Sequence, residues 1–293
     1  MNQYIKFLLF SLLVFSGCED ESENFVVSKV PDAFTKKVLI EEFTGAWCGY
    51  CPDGADRVKN LINDNAGRVL GVSIHAGDAM AIAHADYLDT TYKSTGFPSA
   101  MVDRVSYDEN TWLNRAYWSS VTYNQLLETT VCGLAIISEV NGQNATVEIH
   151  VGFSSNLPLL GMDGLVDDYR LTVYLIEDGV TGEGYEYDQR NYANTNEESP
   201  FYNLGDPITG YQHNHTLRAV LSASLGDLIV GDDSYTEMQK GEEYIKTYTV
   251  DISSYNKKNL SIVAFVIYTG SINTEHEIMN VQQCDIDGFQ DWD

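Results

Sequence analysis

Val38-Leu39-Ile40-Glu41-Glu42-Phe43-Thr44-Gly45-Ala46-Trp47-Cys48-Gly49-Tyr50-Cys51-Pro52 is the stretch on which the reading of this chain turns. An apolar run leads into a C-x-x-C pair, with an acidic residue six positions before the first cysteine. Such spacing brings two thiols close enough to close a small, reversible disulfide ring. Where the pair opens a helix, free backbone N–H groups and the helix dipole stabilise the first thiolate. Pro52 suits a first helical turn, where its missing N–H costs nothing. A thiolate is the species that attacks a disulfide, so Cys48 reads as nucleophile and Cys51 as its resolving partner.

Working outward, residues 38–43 read as a buried strand and the stretch through Asp56, Val58, Leu61 and Ile62 as a helix ended by Asn65-Ala66-Gly67. Residues 68–75 form a second apolar strand, so a βαβ unit with a parallel pair is expected. A helix is expected over 79–93, a strand over 99–103, and a helix capped by Asn110-Thr111 that carries Trp112, Leu113, Tyr117, Val121 and Leu126.

After Glu128 the texture changes. Residues 131–140 and 145–153 alternate around Asn141-Gly142-Gln143, a hairpin signal. Further strands are expected at 169–177, 215–224, 244–252 and 260–269. Few helical periods occur, so the second half reads as an all-β, Ig-like sandwich. The segment 181–212 is long for a connection and rich in tyrosine, with Tyr185, Tyr187, Tyr192, Tyr202 and Tyr211; such loops often bind proteins or glycans.

The first residues read as an address. Lys6 precedes an apolar core, Phe7 to Phe15, too short to span a bilayer. Phe15-Ser16-Gly17-Cys18 resembles a bacterial lipobox, which makes 1–17 a signal peptide and Cys18 a lipidated anchor to the outer membrane. Residues 18–36 then read as an acidic tether; Glu19, Asp20, Glu21 and Glu23 resemble the surface-export signal of Bacteroidetes-type lipoproteins. Acids outnumber bases 43 to 17, a net charge of −26, which argues against nucleic acid and against anionic lipid as partners. Of five cysteines, lipidation of Cys18 leaves four. Cys132 and Cys284 are either a structural bridge, worth about 3–5 kcal/mol in the chain-entropy model, or two buried thiols.

The first half resembles a thioredoxin-like domain, expected over 37–130, with the sandwich over 131–293. That resemblance rests on the strand VLIEEF, the motif WCGYC at a helix start, the βαβ continuation and an X-Pro step before a later strand. It implies a cis Phe97-Pro98 bond beside the cysteines, and a buried Glu42 that takes the Cys51 proton. It further implies a client-binding surface of Trp47, Gly49, Tyr50, Phe97 and Pro98. The Gly-Tyr dipeptide is also that of C-type disulfide isomerases. Taken whole, EEFTGAWCGYCP (41–52), VSIHAGD (72–78), TGFPSAMVDR (95–104) and YQHNHTLRAVL (211–221) resemble the outer-membrane-protein-28-related lipoproteins.

No cofactor or metal site is expected. Zinc would need two more ligands beside the C-x-x-C pair. His213 and His215, two apart on an expected strand, form only half a metal grip, and His75 reads as a strand-end residue near the cysteines. Two functions follow. One is an outer-membrane-anchored oxidoreductase or isomerase acting on protein thiols and disulfides. The other is a surface-exposed binding or adhesin-like lipoprotein whose C-x-x-C disulfide is static.

Overall fold

The computed structural model describes residues 25–94, 96–158, 168–229, 237–269 and 276–293. The segment expected to be a signal peptide, Cys18 and the acidic run lie outside these residues. The chain runs β1 (Val38–Thr44), α1 (Cys51–Asp64), β2 (Val69–His75), α2 (Ala83–Tyr92), β3 (Ser99–Val102) and α3 (Trp118–Gln125). It continues through β4 (Cys132–Asn141), β5 (Asn144–Phe153), β6 (Leu157–Pro158), β7 (Asp168–Glu177), β8 (Thr216–Val220) and β9 (Asp227–Leu228). The last strands are β10 (Glu237–Met238), β11 (Glu243–Asp251), β12 (Leu260–Thr269), β13 (His276–Asp285) and β14 (Gly288–Gln290).

The protein is β-rich, with one mixed and one antiparallel main sheet. An eight-stranded sheet runs β13-β12-β7-β8-β2-β1-β3, with β9 added to β7. Within it β1 and β2 are parallel, and β3 is antiparallel to β1. β8 joins parallel to β2 at Ser73 and Thr216, so strands from both sides of residue 130 share one sheet. A four-stranded sheet, β11-β5-β4-β14, shares a core with its β7 and β12 strands.

Alternation explains the layering, because successive side chains on a strand face opposite ways. On β12, Ile262, Ala264 and Val266 pack with Leu134, Ile136, Val147 and Ile149 of the four-stranded sheet. Their neighbours Val263, Phe265 and Ile267 face the other way, onto Leu39, Phe43, Ile74 and Leu88. A third cluster seats α1 and α3 on the sheet, through Val58, Leu61, Trp118 and Val121 against Val38 and Ile40.

Three expectations are corrected. Asn110-Thr111 does not cap a helix: Leu113 exchanges backbone hydrogen bonds with Ala100, Trp112 packs edge-on to Phe43 at 4.4 Å, and the helix begins only at Trp118. Residues 25–36 are not a free tether. Val30 packs with Ala135 and Trp292, and Trp292 Nε1 donates to the Ser28 carbonyl at 2.8 Å. Cys132 and Cys284 are free buried thiols, not a bridge. Asn280 of β13 donates to the Cys132 carbonyl, which leaves Cys284 four residues further along, about 13 Å at strand rise and beyond disulfide reach.

Candidate functional site

Cys48 and Cys51 form a disulfide at the start of α1. The loop that carries them is fixed from three directions. The Cys51 N–H donates to the Cys48 carbonyl, and the Cys48 N–H to that of Gly45. Asp78 accepts from the Ala46 and Met80 N–H groups, and Trp47 Nε1 donates to the Ala76 carbonyl at 2.7 Å. Both cysteines are buried, with exposures of 5 % for Cys48 and 1 % for Cys51.

The residues singled out in the sequence converge here. The Phe97-Pro98 bond is cis, and the Phe97 ring lies 5.1 Å from Trp47. Trp47 and Tyr50 are well exposed beside the disulfide. Glu42 is fully buried, and neither of its carboxylate oxygens has a hydrogen-bond partner among the described residues. Burial raises its pKa to about 8, opposed by the positive charge of Arg115 and helped by the negative charge of Asp53. Gly54 allows this packing: a Cβ there would stand 2.2 Å from Glu42 Oε1 and 3.0 Å from Pro98 Cβ. Glu42 and Cys51 line one cavity of about 250 Å³.

Glu41 alternates to the opposite face and is equally buried, but it has partners. Arg104 Nε and Nη2 grip its two oxygens at 2.6 and 2.7 Å. Tyr174 adds a hydroxyl donor to the same carboxylate. Adjacent acids thus have separate chemistry: Glu41 is neutralised, and Glu42 faces a cavity.

The histidines differ from expectation. β8 begins at Thr216, and His215 has a positive φ of 55°, so His213 and His215 are not neighbours on one strand face. His213 packs edge-on to His75 at 4.9 Å, and burial followed by the His75 charge lowers its pKa to about 4. His75 Nδ1 lies 2.7 Å from Asp78 Oδ2. These rings line the same cavity as Cys51. Among the described residues no group of three or more His, Cys, Asp or Glu has metal-binding geometry.

The segment 181–212 reads in the sequence as a long, tyrosine-rich connection. It is a strap across the C-x-x-C loop. Gln189 Nε2 reaches the Gly45, Ala46 and Cys48 carbonyls at 3.3, 3.2 and 2.9 Å. Arg190 N–H donates to Ala46, and Tyr192 N–H to Gly49. The Tyr192 ring meets Tyr50 edge-on at 5.1 Å. Arg190 pairs with Asp206, and Asn191 ties the strap to itself through the Phe201 and Gly205 carbonyls. No local pattern marks Gln189, because the loop carbonyls it reaches lie 141 to 144 residues away in sequence.

Fold and site define a β-rich protein with a shielded C-x-x-C disulfide beside a buried, unpaired acid. The chain belongs to the family described as outer membrane protein Omp28, which matches residues 85–289; the description associates the family with the outer membrane. Comparison with curated proteins yields no match. Among solved structures, HBP35 of Porphyromonas gingivalis is similar at 21% identity and a TM-score of 0.65, over 87% of this chain and 76% of that one. Protein AGR_C_4864 from Agrobacterium tumefaciens is similar at 13% identity and a TM-score of 0.53, over 87% and 97%. At these identities the likeness concerns the fold alone. Among the described residues no helix is long and apolar enough to cross a membrane.

Proposed function

We propose that this protein is a thiol–disulfide oxidoreductase or isomerase of the outer membrane, anchored by acylated Cys18 and acting on envelope proteins. In this reading β1, α1, β2 and β3 form a thioredoxin-like unit, and the four-stranded sheet with β7, β12 and β13 forms a sandwich beside it. Cys48 attacks a client disulfide, or receives one, and forms a mixed disulfide. Cys51 loses its proton to Glu42, attacks Cys48 Sγ and releases the client sulfur as a thiolate. Trp47, Gly49, Tyr50, Phe97 and Pro98 surround Cys48 as the client surface.

The observation that carries the reading is the buried Glu42 carboxyl, unpartnered and lining one cavity with Cys51. A pKa of about 8 suits a group that must both take and return a thiol proton near neutrality. A purely structural acid at this depth would be expected to carry a counter-charge, as Glu41 does.

The burial of both sulfurs and the strap across their loop favour the second reading, a surface binding lipoprotein with a static disulfide. Trapping separates the two. The Cys51→Ser variant should accumulate mixed disulfides with envelope proteins through Cys48. If only non-covalent ligands of the 181–212 segment are recovered, the binding reading replaces the enzymatic one.

A further inference from the structure

The Glu42 carboxyl is enclosed on one side by Gly54 and Pro98 and opens on the other into the cavity it shares with Cys51. A buried carboxyl with no protein partner carries a desolvation cost that water can relieve. About 250 Å³ has room for a short chain of waters. We propose that this cavity is the route by which Glu42 exchanges its proton with solvent, and that Tyr211 is the positioning residue of the route.

The cavity runs from buried to exposed groups. Its buried lining includes Glu42, Cys51 and His75, and the half-buried Asp56 and exposed Lys59 of α1 mark its way out to solvent. Tyr211 lines the same space, half-buried, and the negative charges of Glu42 and Asp56 both act on its phenol after burial itself. The phenol therefore lies within electrostatic reach of the inner acid and of an acid at the mouth. A hydroxyl that donates and accepts can order water between them.

The remaining titratable groups of the wall are occupied elsewhere. His75 pairs with Asp78, His213 with the Tyr187 carbonyl, and His215 with Asp178. Asp53 and Arg115 pair with each other at 2.6 Å and act on Glu42 only through charge. Tyr211, His213 and His215 come from the segment just before β8, so a strand that enters late in the chain completes the site around Cys51.

Use of this route in turnover rests on the oxidoreductase reading. In the resolving step the Cys51 S–H gives its proton to the Glu42 carboxylate. The Cys51–Cys48 S–S bond forms as the Cys48–client S–S bond breaks, and the client sulfur leaves with the electron pair. The cysteine pair is oxidised by two electrons and the client disulfide is reduced by two. Glu42 then releases its proton through the cavity, and the client thiolate takes one from solvent. Oxidation of a client dithiol runs the same steps in reverse.

The test follows Glu42 directly, in the full chain with its disulfide intact. A jump from pH 6 to pH 10 is followed at the carboxyl C=O stretch, assigned by its loss in Glu42→Gln. Tyr211→Phe removes the hydroxyl alone, and Ala55→Leu fills the cavity from α1. Both should slow proton release by at least about tenfold, a modest share of what a positioned proton-transfer group contributes. Unchanged rates in folded Tyr211→Phe overturn the proposal, whether or not Ala55→Leu folds. Disulfide exchange with a dithiol peptide is measured alongside. Slowed release without any exchange would retain the proton route and remove the oxidoreductase reading.

Discussion

Gln189 donates from Nε2 to the carbonyl of Cys48 at 2.9 Å, across 141 residues of chain. The same amide group reaches the Gly45 and Ala46 carbonyls, so one side chain ties together much of the buried backbone of the disulfide loop. Each of these carbonyls keeps a backbone N–H donor, so Gln189→Ala should cost about 1 kcal/mol, the net worth of a hydrogen bond. It should also speed reduction of Cys48–Cys51 by dithiothreitol. Denaturant unfolding and reduction kinetics measure both effects; an unchanged reduction rate would mean that the strap does not restrain the loop.

Glu42 gives the protein a particular pH dependence. Its carboxyl ionises near 4.5 in an unfolded chain, but burial holds the proton until about pH 8 in the fold. Between these values the folded state binds more protons than the unfolded one. The stability this group contributes is therefore full below about pH 4.5 and declines as pH rises toward 8. The loss should be on the order of a few kcal/mol at most. Glu42→Gln should flatten that decline, which is read as the wild-type minus variant difference in unfolding free energy across pH.

Arg104 is the counter-charge that Glu42 lacks. It is fully buried, paired with Glu41 and hydrogen-bonded to Tyr92 and Tyr174. Arg104→Met leaves the Glu41 carboxylate uncompensated and should cost about 3–5 kcal/mol. Combining it with Glu41→Gln should restore part of the loss. Thermal unfolding of the two singles and the double variant measures the coupling.

Cys132 and Cys284 should remain unmodified by a thiol reagent in the native protein and both react after denaturation. Burial pushes the Cys132 thiol far up, and burial with the nearby Asp285 charge moves Cys284 to about 12. Mass spectrometry after alkylation counts the labels. A native protein that yields none on denaturation would have the bridge that the structure lacks.

Much of the candidate site's geometry could be read from the sequence because its signals are local. The C-x-x-C spacing, Glu42 on the strand before it, and Phe97-Pro98 before the next strand each lie within a few residues of the element that positions them. The hairpin at Asn141-Gly142 was equally legible, since a two-residue turn fixes the register of β4 and β5. What escaped depends on pairing across long separations. The junction of β8 with β2 rests on Ser73 and Thr216, and no periodicity in either segment announces it. The strap has the same character: Gln189 is ordinary until its acceptors are known. The Cys132–Cys284 pairing failed because an even cysteine count says nothing about strand register. Residues 280 and 282, rather than 284, turn out to stand beside 132 and 134.

The most direct test of the central claim is the reduction potential of the Cys48–Cys51 pair, measured against glutathione in the protein beginning after Cys18. A redox-active pair predicts a value between about −270 and −120 mV, the range of exchange proteins. A potential below about −300 mV would make the disulfide a structural staple and contradict the account.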